Sequence, residues 1–329
     1  MSDPASLMIA PLKAVEADLR RVEDRLREIL HRKGGAVREA GEAVFRGGGK
    51  RVRPALVLLS SRLFGPQPEA AVSIAAAVEM VHGASLLHDD VIDETTVRRG
   101  QGTVNAAHGN RYTVLLGDFL LTQALEAVCE VGQVRLVQVV SEAVAEMTLG
   151  QILELKHQGD LETGTEEYLR IIEGKTASLM AAGCMLGGLL AGAPEEQVQA
   201  LGRYGRHVGM AFQVVDDVLD FWGDPQVLGK PVGSDLSEQK YTLPFLLALE
   251  RAAPEERARV RELLQAGGLT RQGFEEIVGV LDALGARREA LDVAREHATR
   301  ALEELSRLPP GPARDALASL PEFLTLRDR

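Results

Sequence analysis

Two groups of three aspartates share one spacing: Asp89, Asp90 and Asp93, then Asp216, Asp217 and Asp220, each reading D-D-x-x-D. At about 100° per residue, three such carboxylates fall within roughly a 100° arc of one helix face. Like charges this close repel, and the repulsion costs more beside buried surface. Each group follows a strongly apolar run, so the arrangement makes chemical sense when cations neutralise it. Magnesium suits the task, because it takes oxygen ligands in octahedral geometry, keeps some waters and bridges carboxylates to substrate phosphates. One such group arises by chance in roughly 7% of chains this long, and a pair in about two or three per thousand. Solvated helix ends explain one copy; two copies favour a metal–diphosphate site built from two facing helices.

A metal–diphosphate site needs cations for the remaining phosphate oxygens, and the chain supplies them in compact groups. Gly47-Gly48-Gly49-Lys50-Arg51-Val52-Arg53-Pro54 sets three cations beside a glycine run at a helix start. No Ser or Thr follows Lys50, so this is not a P-loop. Backbone N–H groups and bidentate arginine can still hold phosphate there, although alone the segment reads first as a solvated basic turn. Arg98-Arg99-Gly100 follows Asp93 by five residues. Glu173-Gly174-Lys175-Thr176 opens a helix of small residues, and Gly229-Lys230-Pro231 and Lys240-Tyr241-Thr242 follow the second aspartate group. Cations thus stand next to every acidic element. By residue type alone His82 reads as a satisfied buried histidine.

Helices must position these residues. Aromatics are 4% of the chain and long alternating Val/Ile/Thr runs are missing, so the strand signal is weak. From Pro11 to Arg32, Leu12, Val15, Leu19, Val22, Leu26 and Leu30 recur every three or four residues, a helical period. The same period predicts helices over 36–46, 51–64, 68–90, 111–131, 133–158, 165–191 and 194–222. More follow Pro244 to about Leu326, with breaks near Ala253-Pro254, Gly267-Gly268 and Pro309-Pro310. Ile74–Leu87 and Met210–Trp222 are apolar on most sides, as central bundle helices are. Polar, Gly-rich stretches near 94–104 and 223–241 read as functional loops. The expectation is one all-α domain over 1–329, with no solenoid repeat.

Composition narrows the function. A net charge of −11 and a pI near 5.3 argue against nucleic acid as a partner. The run Ala177–Ala193 is short for a membrane span and carries Gly183, Gly187, Gly188 and Gly192, so it reads as a buried helix rather than a transmembrane segment. Cys129 and Cys184 match no zinc spacing and nothing at the N-terminus resembles a signal peptide, which points to a reducing cytoplasm.

The order of these motifs resembles the trans-isoprenyl diphosphate synthases over nearly the full length. It runs Gly-Lys-Arg-x-Arg-Pro, Glu79-Met80-Val81-His82, Leu87-His88-Asp89-Asp90-Val91-Ile92-Asp93, Arg98-Arg99-Gly100, Gly117-Asp118, Gly174-Lys175-Thr176, Phe212-Gln213-x-x-Asp216-Asp217 and Gly229-Lys230. The resemblance implies an isoprenoid synthase-type helical bundle around a deep central cavity, usually a homodimer. It implies that Lys50, Arg53, His82 and Arg99 hold isopentenyl diphosphate. It implies that Asp89, Asp93 and Asp216 ligate Mg²⁺, about three ions per site with Mn²⁺ a substitute, and that the other three aspartates belong to the same catalytic groups. Arg98, Lys175, Lys230 and Lys240 would then contact the allylic diphosphate, with Thr176 and Gln213 beside the developing carbocation. Lys240 departs from the family pattern in following Gln239 rather than the glycine often found there. The implied reaction is ionisation of an allylic diphosphate, condensation with isopentenyl diphosphate and loss of a proton.

Product length should follow cavity depth below Asp89. Ala84 and Ser85 lie five and four residues before it, and Ala77 shares a face with Ala84, with Val81 between. No bulky aromatic stands at these positions, so the expectation is a long product, about C30 to C50. A short- or medium-chain synthase (farnesyl or geranylgeranyl diphosphate) is the alternative. A terpene cyclase fits less well, since cyclases usually mix Asn or Asp with Ser/Thr and Glu at the second metal site. A non-catalytic partner subunit fits less well too, since such subunits generally lack the aspartates.

Overall fold

The computed structural model describes residues 12–32, 34–46, 51–65, 69–98, 100–225, 232–265 and 269–325. Helices dominate them. In chain order these are α1 (Glu16–Arg32), α2 (Gly35–Arg46), α3 (Val52–Arg62), α4 (Ala70–Ile92), α5 (Val104–His108), α6 (Asn110–Cys129), α7 (Val134–His157) and α8 (Thr165–Ile172). After a π-helical turn at Glu173–Ala177 come α9 (Ser178–Leu190), α10 (Glu195–Trp222), α11 (Ser234–Ser237), α12 (Leu243–Arg251), α13 (Pro254–Gln265), α14 (Arg271–Ala283), α15 (Ala286–Leu305) and α16 (Pro312–Thr325). The one sheet among the described residues is a two-residue antiparallel ribbon, β1 (Val97–Arg98) on β2 (Gln101–Gly102).

Helices with little polar/apolar asymmetry stand in the middle. α4 is apolar nearly all round and is buried from Ala71 through Leu87 except at Ser73, His82, Ser85 and Leu86. It packs on α1, α3, α6 and α9, while α10 packs on α9, α15 and α16. Two apolar cores meet along α10: its N-terminal half joins one with Leu56, Ile74, Met80, Leu136 and Leu186, and its C-terminal half, with Val214 and Phe221, joins the other with Phe245 and Ile277. Burying such large side chains stabilises each by about 1.5–3 kcal/mol before conformational entropy is counted.

The small-residue run is the buried helix that its composition suggests. α9 is 13 residues long, and a Cβ on Gly187 would stand 2.4 Å from the Val57 carbonyl oxygen of α3, so only glycine permits that approach. Three other helices, α4, α6 and α7, are long and apolar enough to cross a membrane by length and composition, and 72% of the α4 window is buried inside the protein.

The two expected loops carry more structure than their composition suggests. Val97–Arg98 and Gln101–Gly102 of the first loop form the ribbon, and Asn105 Nδ2 donates to the Asp90 and Thr95 carbonyls at 3.0 and 2.9 Å beside it. The second loop contains α11. The helix predicted over 165–191 is divided by the π-turn at Glu173–Ala177.

Candidate active site

Both aspartate groups stand at helix C-termini. α4 ends where the Asp93 amide donates to the Asp89 carbonyl at 2.8 Å, and Glu94 then takes a left-handed φ of 52°. α10 ends at Trp222, two residues past Asp220. A helix C-terminus carries partial negative charge, so backbone and side chains oppose anions together at each place, and cations relieve both.

Asp89 and Asp93 from α4 and Asp216 and Asp217 from α10 line one cavity of about 780 Å³. Its mouth end is polar. Lys240 Nζ reaches Asp93 Oδ2 at 2.8 Å and Glu238 Oε2 at 2.9 Å, joining the chain after α11 to the end of α4. Lys175, on the π-turn, donates to Glu154 of α7 at 2.5 Å. Thr176 beside it donates to Gln213 Oε1 at 2.9 Å, and Gln213 Nε2 donates to Asp217 Oδ1 at 3.1 Å. Arg53 and His82 line the same cavity, with Arg53 Nη1 3.2 Å from His82 Nε2. His82 is therefore at the site rather than a core histidine.

The trios do not face the cavity whole, which corrects the expectation for Asp90 and Asp220. Asp90, 5% exposed, turns to Arg98, whose Nε and Nη2 meet Oδ1 at 2.8 and 2.7 Å. This pair holds the ribbon against α4 and leaves Arg98 at the cavity wall. Asp220, fully buried, accepts from Ser234 Oγ at 2.7 Å and the Asp235 amide at 3.1 Å, fixing the start of α11. Ala77 is buried in the core and does not line the cavity, whereas Val81, Ala84 and Ser85 do. Lys50, Arg99 and Lys230 lie outside the described residues.

The electrostatics follow from this burial. Burial pushes the Asp89 carboxyl above the usual carboxylate range; Lys175 and Arg98 pull it back, while Asp93 and Glu154 push further. Asp217, wholly buried, is raised well above that range by desolvation, although Tyr168 and Gln213 donate to it. Burial also works against the charge on Lys240, but Asp93, Glu154 and Glu238 outweigh it and hold the ammonium more firmly protonated than usual.

Several partners carry no spacing signal. Glu154 answers Lys175 from 21 residues away. Tyr168 Oη donates to Asp217 Oδ2 at 2.5 Å across 49 residues. Gly150 lets α7 touch the π-turn: a Cβ there would lie 2.5 Å from the Lys175 amide nitrogen. The left-handed φ of 59° at Gln239 explains why a glycine is at home before Lys240. The glutamine keeps that turn, and Lys240 still reaches Asp93.

The inner end of the cavity is apolar, lined by Val81 and Ala84 of α4, Leu121 of α6, Val144 and Met147 of α7 and Phe212 of α10. Val81 precedes Asp89 by eight residues, about 12 Å of helix. A charged mouth above an apolar shaft suits a ligand with an anionic head and a hydrocarbon tail. The donors for a metal are all carboxylate oxygens, as Mg²⁺ prefers. Among the described residues no three His, Cys, Asp or Glu side chains converge closely enough to hold an ion alone. Asp89, Asp93 and Asp216 are of the right chemistry to hold Mg²⁺, which would need further oxygen ligands from outside the protein.

Comparison with known proteins bears on the same residues. The family model described as Polyprenyl synthetase matches residues 35–281. The chain is 39% identical to the octaprenyl diphosphate synthase of Escherichia coli K12 over 312 residues, covering 95% of this chain and 96% of that protein. It superposes on a decaprenyl diphosphate synthase from Rhodobacter capsulatus with a TM-score of 0.92 at 34% identity, covering 98% and 99% of the two chains. A polyprenyl synthase from Caulobacter crescentus, solved with calcium and isoprenyl diphosphate, gives a TM-score of 0.90 at 34% identity, covering 98% of each.

Proposed function

The chain belongs to the polyprenyl synthetase family, and on that footing we propose that it extends an allylic diphosphate with isopentenyl diphosphate units to a long trans-polyprenyl diphosphate. The observation that carries this reading is one cavity that joins aspartates of both groups (Asp89, Asp93, Asp216 and Asp217) and basic side chains including Arg53, His82, Arg98, Lys175 and Lys240 to an apolar shaft.

Mg²⁺ bound at Asp89, Asp93 and Asp216 would neutralise charge on the leaving diphosphate. Around it, Lys175 and Lys240 are held by Glu154 and by Asp93 with Glu238, ready to stabilise the same charge without reorganising. Arg53 and His82 hold isopentenyl diphosphate so that its double bond meets the allylic carbon. Thr176 and Gln213, locked to each other and to Asp217, present oxygen dipoles beside the allylic cation. Phe212, Ile171 and Ile172 line the wall and keep out water that would quench that cation. The proton lost after condensation passes to an oxygen of the departing diphosphate.

The long-chain reading rests on the small Ala84 and Ser85 below Asp89 and on relatives named for long products. One observation favours a short- or medium-chain synthase: the lining stops at Val81 and does not include Ala77. A homodimer is supported by an exposed apolar face on the α6–α7 hairpin. Val114 and Leu115 at the start of α6 and Leu149, Ile152 and Leu155 at the end of α7 stand 38–68% exposed, and an antiparallel hairpin brings those ends together. Free Cys129 and Cys184 fit a cytoplasmic location.

The test is product analysis of the purified chain with farnesyl diphosphate, isopentenyl diphosphate and Mg²⁺. The account expects consumption of isopentenyl diphosphate and prenyl chains longer than geranylgeranyl. Hydrocarbon formed from the allylic diphosphate alone would indicate a cyclase, and no turnover without a second polypeptide would indicate a partner subunit.

A further inference from the structure

Glu79 is a carboxylate in the strongly apolar helix α4, 6% exposed, and such a group needs a partner. Its partner is Arg51, whose Nη1 meets Glu79 Oε1 at 2.6 Å; the two side chains are 12% and 7% exposed. Arg51 also donates from Nη2 to the Phe45 carbonyl at 2.7 Å, and its Nε lies 3.6 Å from Glu23 Oε1. One guanidinium thus ties together α1, α2, the start of α3 and the middle of α4.

The backbone at this point is unusual. Arg51 is the residue before α3 and holds φ 48°, ψ 33°, a left-handed conformation that L side chains rarely adopt. Two residues later Arg53 meets His82. His82 follows Glu79 by three residues, so the two sit one turn apart on the same face of α4. Arg51–Glu79 and Arg53–His82 are successive rungs between the head of α3 and α4. Arg53 and His82 line the cavity, and Arg51 and Glu79 do not.

We propose that Glu79 and Arg51 are positioning residues for the isopentenyl diphosphate end of the cavity: their buried pair fixes the left-handed turn that aims Arg53 at His82. Bulk stability is a poor explanation for such a pair, because well-packed apolar residues often replace buried ion pairs at no loss. The inference rests on the synthase reading of the cavity.

The experiment is steady-state kinetics with each substrate varied separately, alongside thermal melting, for Glu79→Gln and Arg51→Lys. Each variant should raise KM for isopentenyl diphosphate about tenfold while KM for the allylic diphosphate and kcat stay within about twofold. Glu79→Asp, which keeps the charge, should recover part of the loss; if Glu79→Gln does not fold, Glu79→Asp and Arg51→Lys carry the same comparison. Parallel rises in both KM values, or no change in either for a folded variant, would overturn the positioning role while leaving the synthase reading intact. A wild-type chain that does not consume isopentenyl diphosphate would instead overturn the synthase reading, and this inference with it.

Discussion

At the residue scale, neighbours that look equivalent in the sequence carry different tasks. Asp216 and Asp217 are adjacent, yet Asp217 is fully buried between Tyr168 and Gln213, and desolvation raises its pKa well above the ordinary value. A carboxyl whose folded-state pKa is raised stabilises the fold below its unfolded pKa and loses that contribution as pH rises through the folded one. Asp217→Asn has no charge to bury. In metal-free buffer it should therefore melt higher than wild type above neutral pH, with the gap closing toward about pH 4. A gap independent of pH would show that Asp217 is not the group responsible. The six aspartates were legible from their spacing alone. Their division into cavity-lining and structural members was not, because Arg98, Tyr168 and Ser234 approach from 8, 49 and 14 residues away.

At the element scale, the helical period located most helices to within a few residues, since one apolar stripe per helix is what a bundle must bury. The π-turn at Glu173–Ala177 escaped it, because its cause is tertiary: the close approach of Gly150 on α7 to the Lys175 backbone. That turn sets Lys175 and Thr176 into the cavity beside α10. The ribbon at 97–102 escaped it too, held by Arg98 and Asn105 rather than by alternation. The depth of the shaft belongs to this scale as well. α4 presents Ala84 and Val81 to it, facing Leu121, Met147 and Phe212 from three other helices. Ala84→Phe should block the shaft about 7–8 Å below Asp89 and shift products to shorter chains, read by chromatography of the dephosphorylated prenols. Unchanged long products would place the length-setting wall on α6, α7 or α10 instead.

At the scale of the whole molecule, charge of both signs gathers in one cavity. The net charge is −11, and the cavity is lined by seven carboxylates (Asp89, Asp93, Glu154, Asp216, Asp217, Asp235 and Glu238) beside Arg53, Arg98, Lys175 and Lys240, so an anion fits there only together with divalent cations. The apolar face of α6 and α7 faces outward instead, and Leu115 is 68% exposed there. If that face joins two copies, Leu115→Glu with Ile152→Glu should weaken association by at least about 2 kcal/mol, some thirtyfold in the dissociation constant. Analytical ultracentrifugation would then find monomers where wild type is dimeric; an unchanged sedimentation coefficient would remove that face from the interface.

The claim beneath all of this is that carboxylates on two helices hold one diphosphate jointly through divalent metal. Calorimetric titration of inorganic diphosphate tests it most directly, with Mg²⁺ present or chelated, on wild type, Asp89→Asn and Asp216→Asn. The account predicts binding by wild type only with Mg²⁺, weakened at least about tenfold by either substitution. Equal binding without metal, or indifference to a substitution on either helix, would contradict it.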